Sequence, residues 1–166
     1  MPFNSQILFK GLLLVAMAAA ISLRFFKGKV TPTAEGLQYK RKALLQLLQL
    51  VVLPVYFSYI MWGEYHNRGH VSVLSAVLFC GLVISVMLQM PGVITLTPTA
   101  IVQNFWLRAD KRIDYPDVMA IESRTGGREV RVMGNTGVNI THNSGHADQS
   151  SFRAEMEQLT GKNVVG

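Results

Sequence analysis

Apolar residues form three long runs before residue 91 and short, roughly alternating runs after it. The clearest long run, VSVLSAVLFCGLVISVMLQM (71–90), has twenty residues and no charged side chain. At a rise of 1.5 Å per residue, a helix of this length matches a bilayer core of roughly 30 Å. Pro91 and Gly92 follow and end the helix. The pattern therefore predicts a membrane span over 71–90.

The second run, ALLQLLQLVVLPVYFSYIMWG (43–63), predicts another span, in which Pro54 favours a kink. Its far end carries aromatic side chains of the kind that gather at the membrane–water interface. These aromatic residues are Tyr59, Trp62 and Tyr65.

The first run predicts a third span over residues 3–26, with Lys10 and Arg24 extending toward the headgroups. A cleaved signal peptide is the alternative, since a lysine precedes an apolar stretch with small residues near its end. Cleavage would leave the basic connection 24–42 outside the cytoplasm, against the positive-inside rule. An uncleaved span is therefore the preferred interpretation.

The charge distribution predicts the orientation of these spans. The net charge is +6, yet residues 92–166 carry eight basic and eight acidic side chains, so the excess lies in residues 1–91. We interpret this excess as a topology signal rather than a nucleic-acid-binding surface. It places the connection 24–42 and the C-terminal domain in the cytoplasm. The basic residues of the connection, expected at the membrane surface, are Arg24, Lys27, Lys29, Lys40, Arg41 and Lys42.

Residues 92–166 predict strands in series that end in one helix. Glycine-containing turns separate the later strands, and Phe152, Met156 and Leu159 form an apolar stripe on the final helix, which Gly161 ends. The fold class is thus α-helical transmembrane segments in a membrane domain (1–91), followed by a small mainly-β domain (92–166). The predicted strands are VITLT, AIVQNFWL, KRIDY, VMAIESR, EVRVMG and VNITH.

One pentapeptide occurs twice in nearly the same form, as VTPTA (30–34) and LTPTA (96–100). The first copy precedes good helix formers, and Thr31 and Pro32 suit an N-cap and a first helical position, so it predicts a helix start. The second copy precedes β-branched and aromatic residues and predicts a hairpin turn. A degenerate internal repeat is the alternative.

The order ITLTPTAIVQNFWL, a basic turn, RIDYPDVMAIE, two glycine hairpins and a closing helix resembles the bacterial pleckstrin-homology-like (PH-like) domain. The resemblance covers roughly residues 72–160. It implies an antiparallel barrel or sandwich closed by a C-terminal helix, following paired membrane helices in a bacterial inner-membrane protein. It implies no enzymatic activity and no cofactor.

The predicted function is therefore protein interaction or homo-oligomeric assembly at the bilayer, with an unidentified membrane or cytoplasmic protein as partner. The alternative is recognition of anionic lipid headgroups by the PH-like domain and the basic connection. The eukaryotic phosphoinositide-binding domains use a basic first hairpin, whereas the turn TPTA here has no base. The candidate binding residues are Trp106, Arg108, Lys111 and Arg112.

Two histidine pairs are each four residues apart: the first has the spacing of a zinc site on a helix, and the second could form a metal or acid/base site. His66 and His70 fall in a short loop, which favours a polar interfacial turn. His142 and His146 fall in HNSGHADQSS, which favours a solvated loop. No metal site is predicted, and the single cysteine, Cys80, excludes a disulfide within the chain.

Overall fold

The computed structural model describes residues 28–166 continuously, and before them only Lys10, Gly11, Leu14 and Met17, which are helical. The predicted span 3–26 thus lies outside the described residues, apart from these four positions. The chain divides into two compact units. Among the described residues, the helical unit contains 43–89, and the β unit contains 28–42 together with 90–166.

The helical unit begins with α1 (Ala43–Leu47), a π-helical turn (Leu48–Val52) and α2 (Leu53–Arg68), which form one uninterrupted helix. The π-helical turn ends at Val52, two residues before Pro54. Proline has no N–H for the preceding turn and its ring crowds a carbonyl there, and a widened turn relieves both effects. Gly69, in the left-handed conformation, ends the helix. Helix α3 (Val73–Gln89) follows.

In the described part of the chain, one helix is long and apolar enough to cross a membrane. It is the continuous helix Ala43–Arg68, with 26 residues and a mean hydropathy of 1.8. Helix α3 is apolar but shorter, with 17 residues. Of the three predicted spans, the one over 43–63 thus agrees with the structure by length and composition.

A carboxylate joins the two helices of this unit. Glu64 accepts hydrogen bonds from the backbone N–H of Ser72 (3.0 Å) and from the hydroxyl of Ser75 (2.7 Å). Both serines lie at the start of α3, where helical N–H groups lack partners and favour negative charge. Glu64 therefore ties the end of α2 to the beginning of α3.

The β unit contains two antiparallel sheets and a C-terminal helix, in agreement with a small mainly-β domain. Within the described residues, one sheet has the order β1-β2-β3-β4-β5 and the other β6-β7-β8. The strands are β1 (Val30–Thr33), β2 (Gly36–Tyr39), β3 (Pro91–Leu96), β4 (Ala100–Phe105), β5 (Lys111–Asp114), β6 (Val118–Arg124), β7 (Glu129–Gly134) and β8 (Asn139–Asn143).

The first pentapeptide corrects two predictions. VTPTA does not begin a helix: Val30–Thr33 is β1, and β2 pairs with β3, so that Tyr39 lies opposite Ile94. Residues 28–42 therefore belong to the β domain, which the predicted boundary at 91/92 had excluded. Pairing with β3 overrides the helix propensity of the residues around Leu37, because tertiary contacts outweigh this weak preference.

The second pentapeptide and the closing helix follow the prediction. Strands β3 and β4 form a hairpin around LTPTA. Helix α4 (Gln149–Thr160) begins after Asp148, whose carboxylate accepts the Ser151 N–H, and ends at Gly161. Phe152 and Met156 are fully buried among the strands, whereas Leu159 lies partly exposed at the edge of the predicted stripe.

Candidate functional site

The candidate site lies at one end of the five-stranded sheet, which we call the exit end. Here β2 ends at Tyr39, β3 begins at Pro91, β4 ends at Phe105 and β5 begins at Lys111. The chain leaves this end into the helix that starts at residue 43, and it returns from α3 through Met90. Tyr39 and Pro91 at the exit end are therefore within a few residues, along the chain, of the helical segment.

The loop between β4 and β5 exposes an apolar pair at the exit end. Trp106 is 57% exposed and Leu107 is 59% exposed. The Trp106 N–H donates to the carbonyl of Met90 (2.8 Å), the residue that follows α3. Asp110 closes the loop by accepting from the Phe105 N–H (2.9 Å) and the Asn104 amide (2.9 Å). These bonds fix the loop in a conformation that leaves two large apolar side chains exposed.

The predicted bases do not form one group. The Arg112 guanidinium pairs with Asp114 at 2.8 Å on the same strand. Lys111, its neighbour, points to the opposite face, where its ammonium donates to the Asn139 carbonyl (2.7 Å). Arg108 lies over the Phe105 ring, 3.4 Å from its centroid, in a cation–π contact. The structure therefore separates Arg112 from Arg108 and Lys111.

Two further cations join Arg108 and Lys111. Burial lowers the pKa of Lys111, and the charges of Arg108 and Arg131 lower it further. Burial also lowers the pKa of Arg41, with a smaller effect from Arg108. This set of mutually repelling cations is called the cation cluster and consists of Arg41, Arg108, Lys111 and Arg131. The sequence did not single out Arg131, because only strand pairing brings β7 near β5.

The basic residues of the connection 24–42 differ in their exposure to solvent. Lys29 and Lys40 are exposed, whereas Arg41 and Lys42 are partly buried, and burial lowers the pKa of Lys42. The Lys42 N–H donates to Gly145 (2.9 Å). Arg24 and Lys27 lie outside the described residues.

The loop HNSGHA corrects the prediction of a solvated turn. His142 is fully buried and His146 is 3% exposed. The His142 ring stacks on Phe152 (4.4 Å between centroids), and Tyr39 meets both rings edge-on. The Ala147 N–H donates to Lys40 (3.0 Å). The loop thus packs inside the β unit and contacts the chain just before it enters the helices.

The histidine rings are neutral and act as structural donors. His146 Nε2–H donates to the Gly92 carbonyl (2.9 Å), and His142 Nε2–H donates to the Ala147 carbonyl (2.8 Å), since carbonyls only accept. Burial lowers the pKa of His142 to about 3 and that of His146 to about 4. Their partners lie up to 54 residues away, so local sequence gave no signal for this burial.

Within the described residues, no group of three or more potential metal ligands occurs. His66 and His70 are exposed at the end of α2 and in the turn that follows it. Comparison with protein-family models, curated proteins and solved structures gives no match for this chain.

Proposed function

We propose that this chain is a non-enzymatic, multi-pass inner-membrane protein that presents a cytoplasmic PH-like domain at the bilayer surface for interaction. The observation that carries the proposal is the pairing of β2 with β3 across the helical segment 43–89. Strands from before and after this segment share one sheet, so both must lie on the same side of a membrane. The segment then crosses an even number of times.

The even number of crossings requires a second spanning helix, and we propose that α3 is that helix. If the helix Ala43–Arg68 crosses the bilayer once, the chain must return before β3, and α3 is the available apolar helix. The bonds from Ser72 and Ser75 to Glu64 join the helices through a short turn, as an antiparallel pair requires. Both helices also expose apolar side chains, including Val55, Val73 and Val77, which suits contact with lipid.

The orientation follows from charge. Lys40, Arg41 and Lys42 immediately precede the spanning helix, and positive residues favour the cytoplasmic side. The two-sheet architecture with a closing helix supports the resemblance to PH-like domains. At the opposite end of this helix, positive charge is sparse. Arg68 is the one lysine or arginine between residues 43 and 89.

A protein partner or a second copy of the chain is a further candidate for binding to this domain. Its support is an exposed apolar pair on the three-stranded sheet side, Met119 on β6 and Val165, whose backbone bonds to Ile121 and Ser123 of the same strand. Replacing both with Ser should reduce co-purification of a tagged second copy while leaving the fold intact. Unchanged co-purification would exclude this surface as an assembly site.

The experiment for the proposed function uses the full chain with a reporter fused after Gly166, active only in the cytoplasm. Membranes are then extracted with alkaline carbonate. We expect cytoplasmic reporter activity and retention in the membrane pellet. Release of the protein into the supernatant would contradict membrane anchoring, and activity of a reporter specific for the exterior would contradict the orientation.

A further inference from the structure

The exit end combines two exposed apolar side chains with the positive charge of Arg108. Trp106 and Leu107 are exposed beside Arg108, which contacts the Phe105 ring. The hydrogen bond from Trp106 to Met90 fixes this loop beside the first residue after α3. Aromatic side chains with basic neighbours are typical of the headgroup region of a membrane.

Three members of the cation cluster, Arg108, Lys111 and Arg131, form no ion pair with an acidic side chain in the described residues. The ion pairs of the β unit include Arg112–Asp114, Arg124–Glu122 and Arg153–Glu157. None involves Arg108, Lys111 or Arg131. Glu122 lies opposite Arg131 across the strands, but its carboxylate binds Arg124, and the Asp110 carboxylate is engaged by Asn104 and Phe105.

Strand pairing brings Lys111 of β5 near Arg131 of β7. Lys111 contacts Asn139 of β8, which pairs with Met133 of β7. Arg131 is two residues from Met133, roughly 7 Å along the strand and on the same face. The cluster therefore spans both sheets. Holding like charges together destabilises the free domain, and an anionic ligand would relieve this repulsion.

We propose that the exit end binds the phosphate-bearing headgroups of anionic lipids through Arg108, Lys111 and Arg131, while Trp106 and Leu107 enter the headgroup–acyl boundary. This inference rests on the proposed function, which places the exit end at the bilayer, and it names the partner. A guanidinium offers paired N–H donors to phosphate oxygens, and the ammonium adds a point charge. Arg112 is excluded because Asp114 already neutralises it.

The test uses Trp106 as a fluorescent probe in the full chain. The protein has two tryptophans, so Trp62→Phe leaves Trp106 as the sole emitter. The variant is reconstituted in phosphatidylcholine vesicles that contain a small, equal share of acyl-brominated phosphatidylglycerol or acyl-brominated phosphatidylcholine. Bromine quenches a nearby indole, so the ratio of the two quenching efficiencies reports enrichment of the anionic lipid at the exit end.

The matched pair of variants is Lys111→Gln and Arg112→Gln, which remove the same charge from neighbouring positions of β5. We expect stronger quenching by the brominated anionic lipid in the parent. Lys111→Gln should lower that enrichment by about fivefold, as expected for one cation near an anionic surface. Arg112→Gln should retain it. Arg108→Gln, which changes an exposed side chain, repeats the test without loss of the Asn139 contact.

The possible outcomes separate the two proposals. Equal quenching by the two lipids would overturn headgroup recognition and leave the position at the bilayer standing. Equal losses in Lys111→Gln and Arg112→Gln would also overturn it, because net charge would then suffice. Absence of quenching by either lipid would contradict the proposed position of the domain itself, and a protein would become the occupant to seek.

Discussion

The two hairpins that contain the repeated pentapeptide are neighbours in one sheet, yet they use it differently. In the hairpin β1–β2, the threonines and Pro32 of VTPTA lie within β1, and the turn falls on Ala34 and Glu35. In the hairpin β3–β4, Pro98 and Thr99 of LTPTA form the turn itself. The same string therefore does not determine where a chain reverses. The flanking residues and the pairing partner do.

The hairpins also differ in what holds them. Thr97 closes its turn through its own side chain, which donates to the Ala100 carbonyl (2.8 Å) and accepts the Ala100 N–H (3.0 Å). In the β1–β2 hairpin, Gly36 lies against the Leu96 carbonyl and adopts φ 137°. The β3–β4 hairpin is thus specified by its own residues. The β1–β2 hairpin depends on contact with β3, which follows the helical segment in the sequence.

The largest expected effect is at Gly36. A Cβ at this position would lie 1.9 Å from the Leu96 carbonyl oxygen, and the backbone conformation disfavours any other residue. Gly36→Ala should therefore lower the free energy of unfolding by at least about 3 kcal/mol. Denaturant unfolding of the full chain in detergent, followed by Trp106 emission in the Trp62→Phe background, measures this loss.

The matched control is Gly126→Ala in the β6–β7 turn. Gly126 also has a positive φ (62°), but nothing lies within 4 Å of an added Cβ. Its cost should be only about 1–2 kcal/mol, from conformation alone. Similar losses for the two variants would indicate that the β1–β2 hairpin is not packed against β3.

Acid should weaken the connection between the two hairpins, because His146 and its loop contact both Lys40 and Gly92. The pKa values of His142 and His146 in the folded protein, about 3 and about 4, lie below the ordinary value of 6.5. The unfolded state therefore binds protons first. Stability is fully present above pH 6.5 and is lost as the pH falls toward 4 and then 3.

Between pH 6.5 and 5 the combined loss should be about 2–3 kcal/mol. Denaturant unfolding at several pH values measures it. His146→Gln should be less stable at neutral pH and should show a shallower dependence on pH over this interval. A parent profile that is flat from pH 6.5 to 5 would mean that the histidines are not buried in neutral form.

The smallest effect compares one threonine from each pentapeptide, Thr97 and Thr33, whose hydroxyls both bond near a turn. Thr97→Ala removes two partly buried hydrogen bonds at Ala100 and should cost about 1–2 kcal/mol. Thr33→Ala removes one exposed bond to the Gly36 carbonyl and should cost about 0.5 kcal/mol or less. The same unfolding assay compares them, and a greater loss for Thr33→Ala would reverse the assignment of the locally closed turn.

Sequence reasoning located features that local patterns specify. The strands from β3 to β8 and the helix α4 follow from alternation, glycine turns and the Phe152–Met156 spacing. Trp106, which the structure shows to be exposed, is one of the predicted binding residues. Those features depend on residues only a few positions apart, such as Asp110 and Phe105.

Features that depend on distant pairing could not be read this way. The segment 30–39 has helix formers, but β3, more than fifty residues later, holds it as strands. His146 looked solvated because its acceptor, Gly92, is 54 residues away. Arg131 joins Lys111 only after β7 and β8 are paired. In each case the deciding contact joins residues that are far apart in the sequence, so local patterns cannot predict it.

If residues 28–42 and 90–166 form one domain on one side of the membrane, the turn after α2 lies on the other side. Cysteine labelling with a membrane-impermeant maleimide measures these positions. In a Cys80→Ser background, single cysteines replace Glu35, Thr136 or Asn67, all exposed. Glu35→Cys and Thr136→Cys should label only from the cytoplasmic side, and Asn67→Cys only from the opposite side. Labelling of Glu35→Cys and Thr136→Cys from different sides would contradict the shared sheet and the even number of crossings.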